Sequence, residues 1–196
     1  EEVIPKGFDY KVVGDSDLER LTDSRHHEGI CVLADKKLPT PFSEALIELK
    51  EARCIVYLDE VGNPHNLGAI VRTAAHFGIS HVLTPSDRPL PPSSYRIARD
   101  GAEHVELVTV QSPLEDLKTL QKMGFNLVAT TPADGTPLGE MEKGVQNVIV
   151  LGSETEGVSS DVLEIADHTL SIPGSGQVES LNVSNAFCIL AYEIFK

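Results

Sequence analysis

Short apolar runs alternate with helically spaced ones along most of this chain. CIVYLD (54–59) is a nearly unbroken apolar run closed by an acid, the pattern of a strand buried on both faces. In HNLGAIVRTAAHFG (65–78) the apolar positions 67, 70, 71, 74 and 77 recur at helical spacing until Gly78 stops them. HVLT (81–84) predicts the next strand. A proline-rich loop (87–95) and a short helical piece follow, and then the strand VELV (105–108). Ser112, Pro113 and Glu115 predict a helix opened by a cap, a first-turn proline and a capping-box glutamate, closed by Gly124. FNLVAT (125–130), NVIVLG (147–152) and HTLSI (168–172) read as strands, SSDVLEIA (159–166) as a short helix. Residues 182–195 read as a last helix with Val183, Ala186, Phe187, Leu190, Ala191 and Ile194 on one face.

Strand and helix in this rhythm predict an α/β fold, a mostly parallel sheet covered by helices on both faces. Ligands of such sheets bind beyond the carboxyl ends of the strands. That rule selects four places: the turn after Leu58, the turn at Thr130 and Thr131, the turn from Gly152 to Gly157, and the loop from Ile172 to Ser180. Residues 1–50 fit the rhythm poorly. They are polar, with short helices predicted near 16–22 and 43–50, and read as a linker or the tail of another domain, leaving 51–196 as the main domain.

Charge sharpens this picture. The 196 residues carry 16 basic and 30 acidic side chains, a net charge of −14, which argues against a protein that coats nucleic acid. Residues 61–99 depart from this trend, with Asp87 as their one acid against Arg72, Arg88, Arg96 and Arg99. All four are arginines, whose planar fork suits phosphate, so this is the segment in which to look for an anionic partner. No run approaches the roughly 18 apolar residues of a membrane span, and the opening residues contain no signal-peptide core. Cys31, Cys54 and Cys188 have no paired spacing and are expected to be reduced, buried thiols of a cytoplasmic protein. The seven histidines lack ligand spacing, so no metal is expected.

Three stretches carry candidate chemistry. NLGAIVRTA (66–74) sets Asn66 at the mouth of a helix and Arg72 six residues further on; taken alone, a capping Asn and a surface Arg explain the pair equally well. Gly68 costs a first helical turn about 1 kcal/mol against alanine, which suggests close approach to the backbone there. LGSETEG (151–157) lacks the GxGxxG of dinucleotide turns, and Glu154 and Glu156 would repel phosphate. A ligand with hydroxyls or a positive centre suits this turn better, although an exposed acidic turn is an adequate reading of Glu156. IPGSGQVESLNVSNA (172–186) crowds Glu179, Ser180, Asn182, Ser184 and Asn185 at a helix start where a single cap would suffice. No nucleophile elbow or Ser-His-Asp order is present.

Taken in order, NxGxxxRTA, LGxExxG and IPxxGxxESLNVSxA resemble the three motifs of the SpoU branch of the SPOUT RNA methyltransferases, a match covering roughly residues 54–196. The resemblance implies an S-adenosylmethionine-dependent enzyme that methylates a ribose 2′-hydroxyl of tRNA or rRNA. It implies a homodimer and a deep trefoil knot at the C-terminus. It implies a cofactor site at Thr130, Gly152, Glu154, Gly157, Ile172, Ser180, Leu181 and Asn182, with Arg72 acting on the hydroxyl and Asn66, Glu154, Ser180 and Asn182 arranging it. RHHEGICVL (25–33) resembles the end of the small substrate-binding domain that precedes such catalytic domains, with Glu28 where glutamine is usual; a longer protein is therefore expected. The rival reading is a non-catalytic RNA or protein binder on the same fold.

Overall fold

The computed structural model describes residues 9–132, 134–141 and 144–196; the opening residues 1–8, which contain no signal-peptide core, lie outside them. Contacts divide the chain between Lys36 and Lys37. Among its described residues the first unit contains one helix, α1 (Asp15–Thr22), stopped by Asp23 in the left-handed conformation (φ 48°, ψ 38°). The second unit, Lys37–Lys196, carries the sheet.

Its elements run β1 (Thr40–Pro41), α2 (Phe42–Glu51), β2 (Cys54–Asp59), α3 (Pro64–His76), β3 (His81–Thr84), α4 (Pro92–Ala98), α5 (Gly101–His104), β4 (Glu106–Thr109), α6 (Pro113–Lys122), β5 (Asn126–Thr130), β6 (Thr136–Pro137), a 3-10 turn (Leu138–Glu140), β7 (Asn147–Gly152), α7 (Ser160–Ile165), β8 (His168–Ser171) and α8 (Val183–Phe195). The strands form one sheet in the order β1-β4-β3-β2-β7-β5-β8-β6, and every pairing is parallel. From β2 the chain steps outward through β3 to β4, whereas β7, β5 and β8 lie on the other side. The order therefore reverses between β2 and β7, the position at which parallel sheets open a binding crevice.

All six residues of β2 and all six of β7 are buried, which is why both read as continuous runs rather than as alternations. The two faces nonetheless sort cleanly. Cys54, Val56 and Leu58 pack with Ile70, Val71 and Ala74 of α3 and Phe187, Leu190 and Ala191 of α8. Ile55 and Tyr57 pack on the other face with Phe42, Ala45 and Leu49 of α2, Leu117 and Leu120 of α6, and Val162 of α7. Burial of Cys54 pushes its thiol from 9.0 up to about 12 and leaves it inert at neutral pH.

Several details differ from the sequence reading. The compact unit starts at Lys37 rather than at residue 51, because α2 buries Phe42, Ala45 and Leu49 against the sheet. Two edge strands, both Thr-Pro, escape any periodicity test because they are two residues long. At α6 no capping box forms: the Ser112 N–H donates to Asp116 Oδ2 (3.3 Å), and Ser112 makes no side-chain cap bond. Cys188 is exposed and Cys31 half-buried, so of the three thiols only Cys54 belongs to the core. Among the described residues no helix is long and apolar enough to cross a membrane.

Candidate active site

At the carboxyl end of β2 the chain turns into α3. Asn63, not Asn66, caps this helix, its side chain accepting from the N–H groups of His65 (2.9 Å) and Asn66 (3.4 Å), with Pro64 in the first turn. The Asn-Pro pair was a readable signal for that start. Asn66 is thereby released from capping, and it is buried. Gly68 does admit a close neighbour, but the neighbour is α4: a Cβ there would lie 2.5 Å from the Ser94 carbonyl oxygen and 2.8 Å from Ile97 Cβ.

The turn after β7 is closed by its own backbone. Ser153 and Gly157 exchange hydrogen bonds in both directions (3.1 and 3.0 Å), and Gly157 takes φ +73° to do so. A Cβ on Gly152 would fall 2.0 Å from the Gly157 carbonyl carbon, so glycine is required at 152 by the turn itself. Asp59, buried at the tip of β2, ties the far end down by accepting from the Ser159 N–H at 2.7 Å. Its other oxygen accepts from the Tyr57 hydroxyl at 3.4 Å; burial first, and the Asp59 charge second, push the Tyr57 phenol well above its ordinary range. Asp59 was missed in the sequence, where it served only to end an apolar run.

What this turn presents is Glu154. The Asn66 Nδ2 group donates to Glu154 Oε1, and Asn66 Oδ1 accepts from Asn182 Nδ2 at 3.0 Å. Asn182 caps α8, its Oδ1 accepting from Ser184 N–H (3.0 Å), Ser184 Oγ (2.6 Å) and Asn185 N–H (3.4 Å). The direction of the whole chain follows from that cap. The oxygen of Asn182 is occupied by helix donors, so only its amide nitrogen faces Asn66, which must answer with oxygen and turn its own nitrogen to the carboxylate. Residues 88 and 116 positions apart are joined in this way.

The other candidates are placed differently. The Thr130 hydroxyl donates to the Val150 carbonyl (2.8 Å), bracing β5 against β7. Ile172 packs against the core, whereas Ser180 and Leu181 are exposed on a loop. Apart from Gln177 N–H to Ser175 Oγ (3.4 Å), residues 173–181 make no hydrogen bond among the described residues. Ser180 is therefore not drawn into the cluster. Neither is Arg72: six residues along α3 from Asn66 carries it about 9 Å along the axis and about 240° around it. It is exposed, without an ion pair or side-chain hydrogen bond among the described residues.

The chain is similar to known proteins over most of its length. Residues 53–192 match the model of the SpoU rRNA Methylase family. The chain is 32% identical to the 23S rRNA (guanosine-2′-O-)-methyltransferase RlmB of Acinetobacter baylyi, over 96% of this chain and 79% of that one. It is also 32% identical to the uncharacterized tRNA/rRNA methyltransferase YfiF of Escherichia coli O157:H7, of whose length it spans only 54%. Among solved structures it superposes on the TrmH/SpoU tRNA modifying enzyme of A. aeolicus with a TM-score of 0.67 at 30% identity, over 78% of this chain and 81% of that one. The SpoU methyltransferase AviRb of Streptomyces viridochromogenes in complex with AdoMet aligns with a TM-score of 0.66 at 26% identity, over 73% of this chain and 57% of that one. With the family model covering most of its length and the three motif stretches joined at one edge of the sheet, the chain belongs to the SpoU rRNA methylase family.

Proposed function

We propose that this chain transfers a methyl group from S-adenosylmethionine to a ribose 2′-hydroxyl of RNA, of the tRNA or rRNA class that its relatives' names give. The observation that carries the reading is the hydrogen-bonded series Glu154–Asn66–Asn182, which draws three distant motifs together at the carboxyl ends of adjacent strands. The site fits the cofactor on two counts. The loop 173–181 has backbone donors and acceptors not consumed by the fold, as a ligand held mainly by main-chain groups requires. The acids of the two loops, Glu154, Glu156 and Glu179, suit a sulfonium cation rather than a phosphate. Main-chain groups of Gly152, Ile172 and Leu181 would hold it, with Thr130 and Gly157 shaping the floor and Ser180 approaching from the loop.

S-adenosylmethionine supplies a methyl group already activated by its sulfonium, so the protein's task is to orient the hydroxyl and ease loss of its proton. Glu154, oriented by Asn66, sits at the centre of that task. Arg72 supplies a positive charge and acts by stabilising the developing alkoxide. Its distance from the cluster supports a homodimer in which each Arg72 serves the partner's site. Exposed Ile189 and Tyr192 on α8 supply apolar surface for that pairing. The same reading includes the knotted C-terminal path, a remnant role for the residues that precede Lys37 and a cytoplasmic setting.

The test combines S-adenosylhomocysteine calorimetry with transfer of labelled methyl to bulk tRNA and rRNA. Arg72→Ala should bind S-adenosylhomocysteine within a few-fold of wild type and lower single-turnover transfer by at least about a hundredfold. Wild-type transfer by that variant removes Arg72 from the chemistry. Cofactor binding with no transfer to any RNA by the wild-type chain favours the non-catalytic binder instead.

A further inference from the structure

The arginines of the one basic segment make no hydrogen bond to the Glu154–Asn66–Asn182 series, and Arg96 and Arg99 have no part in the proposed chemistry. Arg72, Arg96 and Arg99 are all exposed, and none has an ion pair or side-chain hydrogen bond among the described residues. Arg99 also stands apart in its backbone. With φ 58° and ψ −131°, followed by Asp100 at φ −74° and ψ −11°, it occupies the first central position of a type II′ turn between α4 and α5. That position belongs to glycine, because a side chain there crowds the backbone. Asp23, by contrast, sits in the ordinary left-handed basin. An arginine held at a cost in such a place is a reason to look for its use.

The turn is also fixed in position. Gly101 presses on α3 so closely that a Cβ there would lie 3.1 Å from Arg72 Cα and 3.3 Å from Ala75 Cβ. Two residues of chain span at most about 7 Å, so Arg99 is anchored beside Arg72. Arg96 lies one turn earlier on α4. The neighbouring acids, Asp100 and Glu103, are exposed and form no ion pair with these arginines among the described residues. In a chain of net charge −14, this arginine group offers planar forks to an incoming polyanion, and the strained turn carries one of them.

We infer that Arg99, mounted on a strained turn against Arg72, grips a backbone phosphate of the RNA strand. The inference rests on the methyltransferase reading for the identity of the polyanion as RNA. Three single-site comparisons test it on the full chain, with bulk tRNA and deproteinised ribosomal RNA as probes over a salt series. Arg99→Gly should raise the melting temperature by about 2–4 °C as the strain is relieved. The same change should weaken RNA binding about three- to tenfold and lower the slope of log K against log salt by about 0.7–1, the signature of one lost phosphate contact. Arg99→Gln, which keeps the strain and loses the charge, should show the same RNA defect without the gain in melting temperature. Arg99→Lys should recover the slope. Unchanged affinity and slope in both Arg99→Gly and Arg99→Gln overturn the proposal, as does a wild-type chain that binds S-adenosylhomocysteine but neither RNA. Failure to bind S-adenosylhomocysteine at all removes the parent reading instead.

Discussion

The two loops beside the candidate site are held in opposite ways. The turn from Gly152 to Ser159 is cross-bonded to itself at Ser153 and Gly157, wedged where its own backbone leaves no room for a Cβ, and tied to β2 through Asp59. The loop from Pro173 to Leu181 is exposed along its whole length and holds one internal hydrogen bond among the described residues. The fold itself completes the first loop and so preorganises Glu154. The second has main-chain groups to spare, and its ordering free energy has to come from whatever it binds.

The sharpest way to break this contrast is to give both loops the same insult. Gly152→Val should destabilise the chain by at least about 4 kcal/mol in urea unfolding, because its Cβ meets backbone that no rotamer can move. Gly174→Ala, where a Cβ meets nothing within 4 Å, should stay within about 0.5 kcal/mol. Loss of cofactor binding in a Gly152 variant therefore reports on the turn before it reports on the ligand. A smaller effect is expected from Asp59→Ala, which removes a charged acceptor from a buried tie: about 1.5–3 kcal/mol, together with weaker S-adenosylhomocysteine binding as the Glu154 turn loosens. Wild-type affinity in that variant would separate the turn's anchoring from its function. The mildest test changes no residue. Proteolysis within 173–181 should slow when S-adenosylhomocysteine is bound, while the 152–159 turn resists cleavage with or without it. Equal protection of the two loops in the free chain would erase the distinction.

The sheet was legible because it is parallel and buried on both faces, which writes each strand as an apolar run and each helix as a stripe. What stayed hidden depends on who meets whom. Asn63 and Asn66 are the same residue type three positions apart, and only the helix start decides which one caps and which is free for Glu154. Gly68 was read as room for a close approach, and it is, but the visitor is Ser94 of α4. Arg72 and Asn66 share a motif without sharing a helix face, a separation that the count of six residues already contained. The backbone strain at Arg99 left no trace in the sequence, where the stretch before the strand at 105 reads only as a short helical piece.

The cap of α8 narrows the choice of residue at position 182 to one of the twenty. Judged as a cap alone, aspartate or serine would serve as well as asparagine. Aspartate, however, has no donor to offer Asn66 and would set a second carboxylate near Glu154, and serine, with its oxygen given to the helix, is too short to keep both appointments. Asparagine alone can accept from Ser184 and Asn185 with one end while donating to Asn66 with the other. A position that looks like routine helix punctuation is in this way a two-sided joint, and its spelling is dictated from across the sheet.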